Sequence, residues 1–295
     1  MKPTIVITGV SSGIGYDAVR YLSQHGYFVF GSVRSDDVKA GLELEFPENF
    51  MALVFDITDP PAIRRAAQQV AEHLENRRLT ALVNNAGVAE GGPLELLEDD
   101  RFRRQIEVNL IGTRNVTNAF LPHLGAEPEL NPERQGAPGK IINITSISAV
   151  LNTPINGAYC VAKHAAESLG EVYRRELMCY GIDVVSIQPG PIQSKLWDKN
   201  VGSMDRFKDT IYGTMIRNTD EIMRNAQRDA LPAEVISSLI DRIIRSSRPR
   251  VSYIVHKQKW RAWLLAHVLP ARLTDRLLWK RLNRPVESDD DHVDS

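Results

Sequence analysis

Short apolar runs alternate with stretches of helical periodicity through the first two-thirds of this chain, and that alternation constrains the fold most. Residues 4–8, Thr-Ile-Val-Ile-Thr, read as a buried strand. A glycine turn follows, then apolar residues at helical spacing over 14–25, with Gly26 as a stop. Further strands are expected at 28–33, 51–55, 79–83, 140–145 and 182–188, and a last one at 250–255. Helices are expected from Pro60 to about residue 74, from 99 to about 123, over 158–180, and over 231–245. Proline suits a first helical turn because its missing N–H needs no partner there. Apolar strands separated by crossover helices imply a parallel sheet covered on both faces. The expected architecture is a doubly wound α/β fold, Rossmann-like, with a C-terminal helical extension.

The 295 residues, 43% of them hydrophobic, can bury one large core. The expected division is a catalytic domain over 1–256 with a substrate lid at about 191–230, a basic amphipathic extension over 257–285, and an acidic, disordered tail over 286–295. The lid region is irregular and mixed, and the Pro/Gly-rich stretch 125–138 reads as a surface loop. A net charge of -1 argues against a polyanion binder. Cys160 and Cys179 make no disulfide framework, and the seven histidines show no metal spacing. A cytoplasmic setting is expected, with no signal peptide and no membrane-spanning helix.

Between the first strand and first helix stands Thr8-Gly9-Val10-Ser11-Ser12-Gly13-Ile14-Gly15. Glycines let the backbone turn sharply and approach a pyrophosphate, and a helix N-terminus offers it unpaired N–H groups. A tight structural turn is the bland alternative. The second strand ends in Val33 and Arg34 rather than in the acidic residue that selects NAD, and a guanidinium suits a 2′-phosphate. Asp36 and Asp37 nearby oppose a phosphate. NADP(H) is favoured, and NAD(H) stays open.

The Gly-xxx-Gly-x-Gly spacing resembles the short-chain dehydrogenase/reductase family, and the resemblance recurs over about 4–255. Asp56, followed by Ile57, matches the family's adenine-contacting aspartate; a turn aspartate is the alternative. Asn84-Asn85-Ala86-Gly87 resembles the element that props the sheet and lines the cofactor. Pro189-Gly190-Pro191-Ile192-Gln193-Ser194 resembles the element that holds the carboxamide, with Ser194 where threonine is usual. The resemblance implies cofactor contacts from Gly9, Ser11, Ser12, Gly13, Ile14 and Gly15, from Arg34, Asp56 and Ile57, from Asn85, Ala86 and Gly87, from Tyr159 and Lys163, and from Pro189, Gly190, Ile192 and Ser194.

Tyr159 and Lys163 stand four apart, which on a helix puts them on one face. A free phenol has a pKa of about 10, and a neighbouring ammonium together with the positive nicotinamide is expected to lower it. The phenol can then exchange a proton with a substrate oxygen while hydride moves at carbon. Ser146, thirteen residues before Tyr159, matches the family's serine, with Ser148 and then Thr145 as alternatives. Asn109 matches the asparagine that perturbs a helix and holds a water linking Lys163 to solvent. Catalysis is thus assigned to Tyr159, Lys163, Ser146 and Asn109, acting on an alcohol, ketone or aldehyde.

Ser148, Val150, Leu151, Trp197, Tyr212, Met215 and Ile216 are the candidate substrate contacts, mostly apolar, which points to a lipophilic substrate. Residues 245–284 carry eleven Lys/Arg against one acid, Asp275, interleaved with leucine and tryptophan and split by Pro270. Docking on the sheet domain or a sister subunit is the favoured reading. Peripheral contact with an anionic membrane is the other. Family resemblance implies a homo-dimer or homo-tetramer. No nucleic acid and no metal are expected. A non-catalytic NADP(H)-sensing regulator is the alternative from another class.

Overall fold

The computed structural model describes residues 2–127, 135–193 and 204–285. Seven parallel strands form one sheet: β1 (Thr4–Ile7), β2 (Phe28–Val33), β3 (Phe50–Val54), β4 (Ala81–Asn84), β5 (Lys140–Ile144), β6 (Asp183–Pro189) and β7 (Ser252–Val255). Their order is β3-β2-β1-β4-β5-β6-β7, with Ile5 level with Val29 on one side and Ala81 on the other. The winding direction reverses between β1 and β4, where a crevice opens at the carboxyl ends of the strands.

Alternate residues of each strand feed two separate cores. Ile5 and Ile7 of β1, Ala81 and Val83 of β4, and Ile142 of β5 face one layer. There Val19 and Leu22 of α1 (Gly13–Gln24) meet Ile236, Ile240 and Ile243 of α8 (Glu234–Arg245). Val6, Leu82 and Ile141 face the other layer, filled by Ile63 and Val70 of α3 (Pro60–Leu74) and by Val116 and Phe120 of α5 (Thr113–Leu124). This two-sided burial, expected of a parallel sheet, is why the strands read as nearly continuous apolar runs. The Asp59 carboxylate caps α3 by accepting from the Ala62 N–H at 3.1 Å, with Pro60 just inside.

Two departures from the sequence-based expectation matter. Helix α2 (Asp36–Glu45), unanticipated between β2 and β3, buries only Leu42, so it lacks a strong apolar stripe. The long helix expected over 99–123 is three segments: α4 (Asp99–Ile106), a π-helical turn at Glu107–Gly112, and α5. Helix α6 (Gly157–Glu176) follows β5.

The stretch read as irregular contains α7 (Gly213–Arg228), which buries Met215, Ile216 and Thr219. Beyond β7 come α9 (Lys259–His267) and α10 (Ala271–Leu282), split at Pro270. Helix α10 packs on α7: Leu282 joins Met215 and Ile216 in an apolar cluster, and the Asn218 amide donates to the Leu282 carbonyl at 2.8 Å. Among the described residues no helix is long and apolar enough to cross a membrane.

Candidate active site

The glycine turn is clamped to the end of β4. The Thr8 hydroxyl accepts from the backbone N–H groups of Asn85 and Ala86, both at 2.9 Å. The Asn85 side-chain amide donates back to the carbonyls of Thr8 and Gly9 at 2.8 and 2.9 Å. The Gly9 N–H donates to the Ser32 hydroxyl at 2.9 Å. Gly9 has φ +71°, and a Cβ there would stand 2.8 Å from the Ala86 Cα. One on Gly15 would stand 2.3 Å from the Gly9 carbonyl oxygen. Only glycine fits both places. Ser12 precedes α1 in extended conformation, its side chain makes no capping bond, and the first turn carries no acid. The backbone N–H groups of that turn therefore suit an anion.

A cleft of about 1070 Å³ opens here along the carboxyl edge of the sheet. Gly9, Ser11, Ser12, Gly13 and Ile14 line it, and so do Arg34, Asp56 and Ile57 from the ends of β2 and β3. Asn85, Ala86 and Gly87 line its centre; Ser146, Tyr159 and Lys163 stand on one wall with Pro189, Gly190 and Ile192. Gly15 lies behind the turn. Asp36 and Asp37, expected to oppose a phosphate, instead open α2 and are not among the lining residues, whereas Arg34 is. The Asp56 carboxylate accepts from the Thr58 N–H and hydroxyl at 2.8 and 2.7 Å, so it also serves its own turn.

Tyr159 and Lys163, both buried, project from adjacent turns of α6. The Lys163 ammonium lies 5.7 Å from the centroid of the Tyr159 ring and donates to the Ile144 carbonyl at 3.1 Å. Burial pushes the Tyr159 phenol up to about 12, with the Ser146 hydroxyl pulling the other way. Desolvation is the largest influence on the phenol here, and it favours the neutral form. Burial also lowers Lys163 to about 8, opposed by the Glu167 carboxylate.

Ser146 caps a 3-10 turn, its hydroxyl accepting from the Ser148 N–H at 3.0 Å. Among the hydroxyls of Thr145, Ser146 and Ser148, that of Ser146 is the one that acts on the phenol, pulling its pKa down. Thr145 also lines the cleft, but its hydroxyl donates to the Glu167 carboxylate at 2.8 Å. Ser148 is buried outside the lining.

Asn109 sits in the π-helical turn, where the extra residue redirects the side chain. Its carbonyl oxygen accepts from the Val88 N–H at 3.0 Å and its amide donates to the Val88 carbonyl at 2.9 Å. It therefore fixes the segment after β4 from beneath, and it is not itself a lining residue. Asn84 bridges β4 to α5 and β5, its amide donating to Thr117 at 3.0 Å and to Asn143 at 2.9 Å.

The substrate candidates are not brought onto this cleft. Val150 and Leu151 lie half-buried past the 3-10 turn. The Tyr212 hydroxyl donates to the Glu95 carboxylate at 2.7 Å. Met215 and Ile216 instead pack with Ile155, Met204 and Phe207 in the apolar cluster under α10. Ser194 and Trp197 lie outside the described residues.

Sequence reasoning missed three supports. Ser32 holds Gly9, and the buried Gln105 donates to the Glu90 carbonyl at 3.2 Å. His256 packs so closely on Gly190 that a Cβ there would lie 2.1 Å from the ring. The first two are polar residues at apolar positions of their elements, which is a readable signal; the third joins distant segments and leaves none.

A family model described as short chain dehydrogenase matches residues 3–204. The chain belongs to that family. It is accordingly an oxidoreductase. It is 35% identical to an NADPH-dependent 3-dehydrocapnine reductase of Ornithobacterium rhinotracheale, over 95% of this chain and 97% of the relative. It is 30% identical to a 3-ketodihydrosphingosine reductase of Bacteroides thetaiotaomicron, over 84% of this chain and 86% of the relative. A short chain dehydrogenase from Burkholderia cenocepacia, solved in complex with NADP, superposes with a TM-score of 0.69 at 22% identity, covering 96% and 98% of the two chains. At that identity the likeness speaks to fold alone.

Proposed function

We propose that this protein reduces a lipophilic ketone with NADPH, using Tyr159 as the proton donor. The observation that carries this reading is one cleft that holds an anion-suited helix end, Arg34, and the Ser146–Tyr159–Lys163 group together. The residues fit a dinucleotide on structural grounds: the turn has no room for side chains at Gly9 and Gly15, and the end of α1 is uncapped. The helix end would hold the pyrophosphate, Arg34 the 2′-phosphate, Asp56 and Ile57 the adenine, and Ile192 the carboxamide. When bound, the nicotinamide supplies hydride to the substrate carbon.

The chain supplies the proton and the positioning. A phenol held near 12 is protonated at neutral pH, so it donates as charge develops on the carbonyl oxygen. Ser146 donates a second hydrogen bond to that oxygen. Lys163, cationic below about 8, stabilises the phenolate left behind. Asn109 acts through the Val88 backbone to set the cleft floor.

Two relatives support the direction and substrate class, since their names specify reductase activity on keto or dehydro substrates, and one of them specifies NADPH. Consumption of NADPH and NADH, followed at the reduced-nicotinamide absorbance against long-chain ketones and small polar sugars, tests the reading. Turnover of long-chain ketones with NADPH is expected. Activity confined to sugars, or an equal preference for NADH, would contradict it.

A further inference from the structure

We propose that α9 and α10 seat this protein on an anionic lipid surface. One face of α10 is already used: Thr274, Leu278 and Leu282, spaced by four, turn toward the protein, and Leu282 is buried against α7. Beyond that face, several large apolar side chains among the described residues of the two helices are exposed. Trp260, Trp263, Leu264 and Val268 recur at helical spacing along α9 and its end, all exposed, with Trp260 60% exposed. On α10, Leu273 and Leu277 lie one turn apart and exposed, and Trp279 is 64% exposed. Three of the four tryptophans of the chain stand on this surface. Isolated exposed apolar residues are ordinary, but seven of them on two consecutive helices mark an interaction surface.

Charge decides the partner. Residues 257–285 hold eight Lys/Arg and one acid, Asp275, whereas the whole chain carries a net charge of -1. Lys259, Arg272, Arg276, Lys280 and Arg281 are exposed among the apolar side chains. A second copy would bring the same positive field onto itself, which like-charge repulsion disfavours. An anionic bilayer matches both features. Indole rings settle at the headgroup level, apolar side chains enter the acyl boundary, and Lys/Arg meet lipid phosphates. Because α10 packs on α7, docking sets the bilayer beside the apolar cluster that contains Met215 and Ile216. Delivery of substrate from the lipid phase is a consequence that rests on the function proposed above; the docking itself does not.

Flotation of the full chain with vesicles of phosphatidylcholine and phosphatidylglycerol, against phosphatidylcholine alone, tests the proposal. Co-flotation with the anionic vesicles only, released by high salt, is expected. The triple variants Trp260→Ala/Trp263→Ala/Trp279→Ala and Arg272→Glu/Arg276→Glu/Lys280→Glu should each weaken partitioning at least about tenfold. Their melting temperatures and their NADPH affinities should stay as in the unsubstituted protein. Absence of flotation, equal recovery on neutral vesicles, or equal recovery of all three proteins would overturn it. So would light scattering that shows self-association lost in the tryptophan variant without any vesicle binding. Turnover of a water-soluble ketone, read separately, reports on the catalytic reading alone.

Discussion

The Lys163 ammonium lies 5.7 Å from the centroid of the Tyr159 ring, both side chains buried on one face of α6. Burial moves the two groups in opposite directions, the phenol up to about 12 and the amine down to about 8. Each is thereby pushed toward its neutral form, because a charge is poorly solvated there.

That pairing has a stability signature. Lys163 sits at about 8 against an ordinary 10.5, so between those values the unfolded chain holds a proton that the folded chain has shed. Stability therefore rises with pH across this window. Urea unfolding of the wild type and of Lys163→Met should show the wild type gaining on the variant as pH rises from about 8 to 10.5. The gain should be up to about 3 kcal/mol. A parallel pair of curves would remove the desolvation argument. Tyr159 acts oppositely, lowering stability as pH climbs from 10 toward 12.

Gly15→Ala places a methyl group 2.3 Å from the Gly9 carbonyl and 2.5 Å from the Asn85 amide nitrogen. The turn must shift, and the substitution should destabilise the protein by about 1–3 kcal/mol. NADPH affinity, measured by quenching of tryptophan fluorescence, should fall with it. Intact affinity would show that the turn does not hold the cofactor.

Arg34→Asp replaces a cation at the end of β2 with the acid that selects NAD. Loss of a charge-assisted hydrogen bond should raise the KM for NADPH about ten- to a hundredfold. The KM for NADH should hold or improve. An unchanged ratio of kcat/KM for the two dinucleotides would detach Arg34 from the 2′-phosphate.

Asn109→Ala removes both hydrogen bonds to Val88. It leaves the N–H and C=O of that residue without their side-chain partner, a loss of about 1–3 kcal/mol. If Asn109 is a positioning residue, kcat should fall while the pH profile of kcat keeps its shape. Asn109→Asp, which keeps one acceptor for the Val88 N–H, should recover part of the activity. Equal loss in both variants would contradict that role.

The sheet was legible because each strand is apolar on both faces, as in Ile5-Val6-Ile7, where alternate residues enter different cores. Tyr159 and Lys163 were legible because a helix brings residues four apart together, and Ser146 because β5 ends beside α6. Helix α2 was not, since it buries Leu42 and little else. The π-helical turn at Asn109 adds a residue to a helix without changing its composition. Helix α7 carried a readable stripe in Met215, Ile216, Thr219, Ile222 and Met223, obscured by the irregular sequence before it. The direction of the tyrosine pKa shift was not legible, because desolvation depends on tertiary burial rather than on a neighbour four residues away.

The central claim is that the Tyr159 phenol delivers the proton that accompanies hydride transfer. Single-turnover oxidation of bound NADPH by a long-chain ketone, in wild type and Tyr159→Phe, tests it most directly. Unchanged NADPH affinity is expected in the variant, with the transfer rate reduced by about 10²- to 10⁴-fold. Transfer at the wild-type rate without the phenol would contradict it.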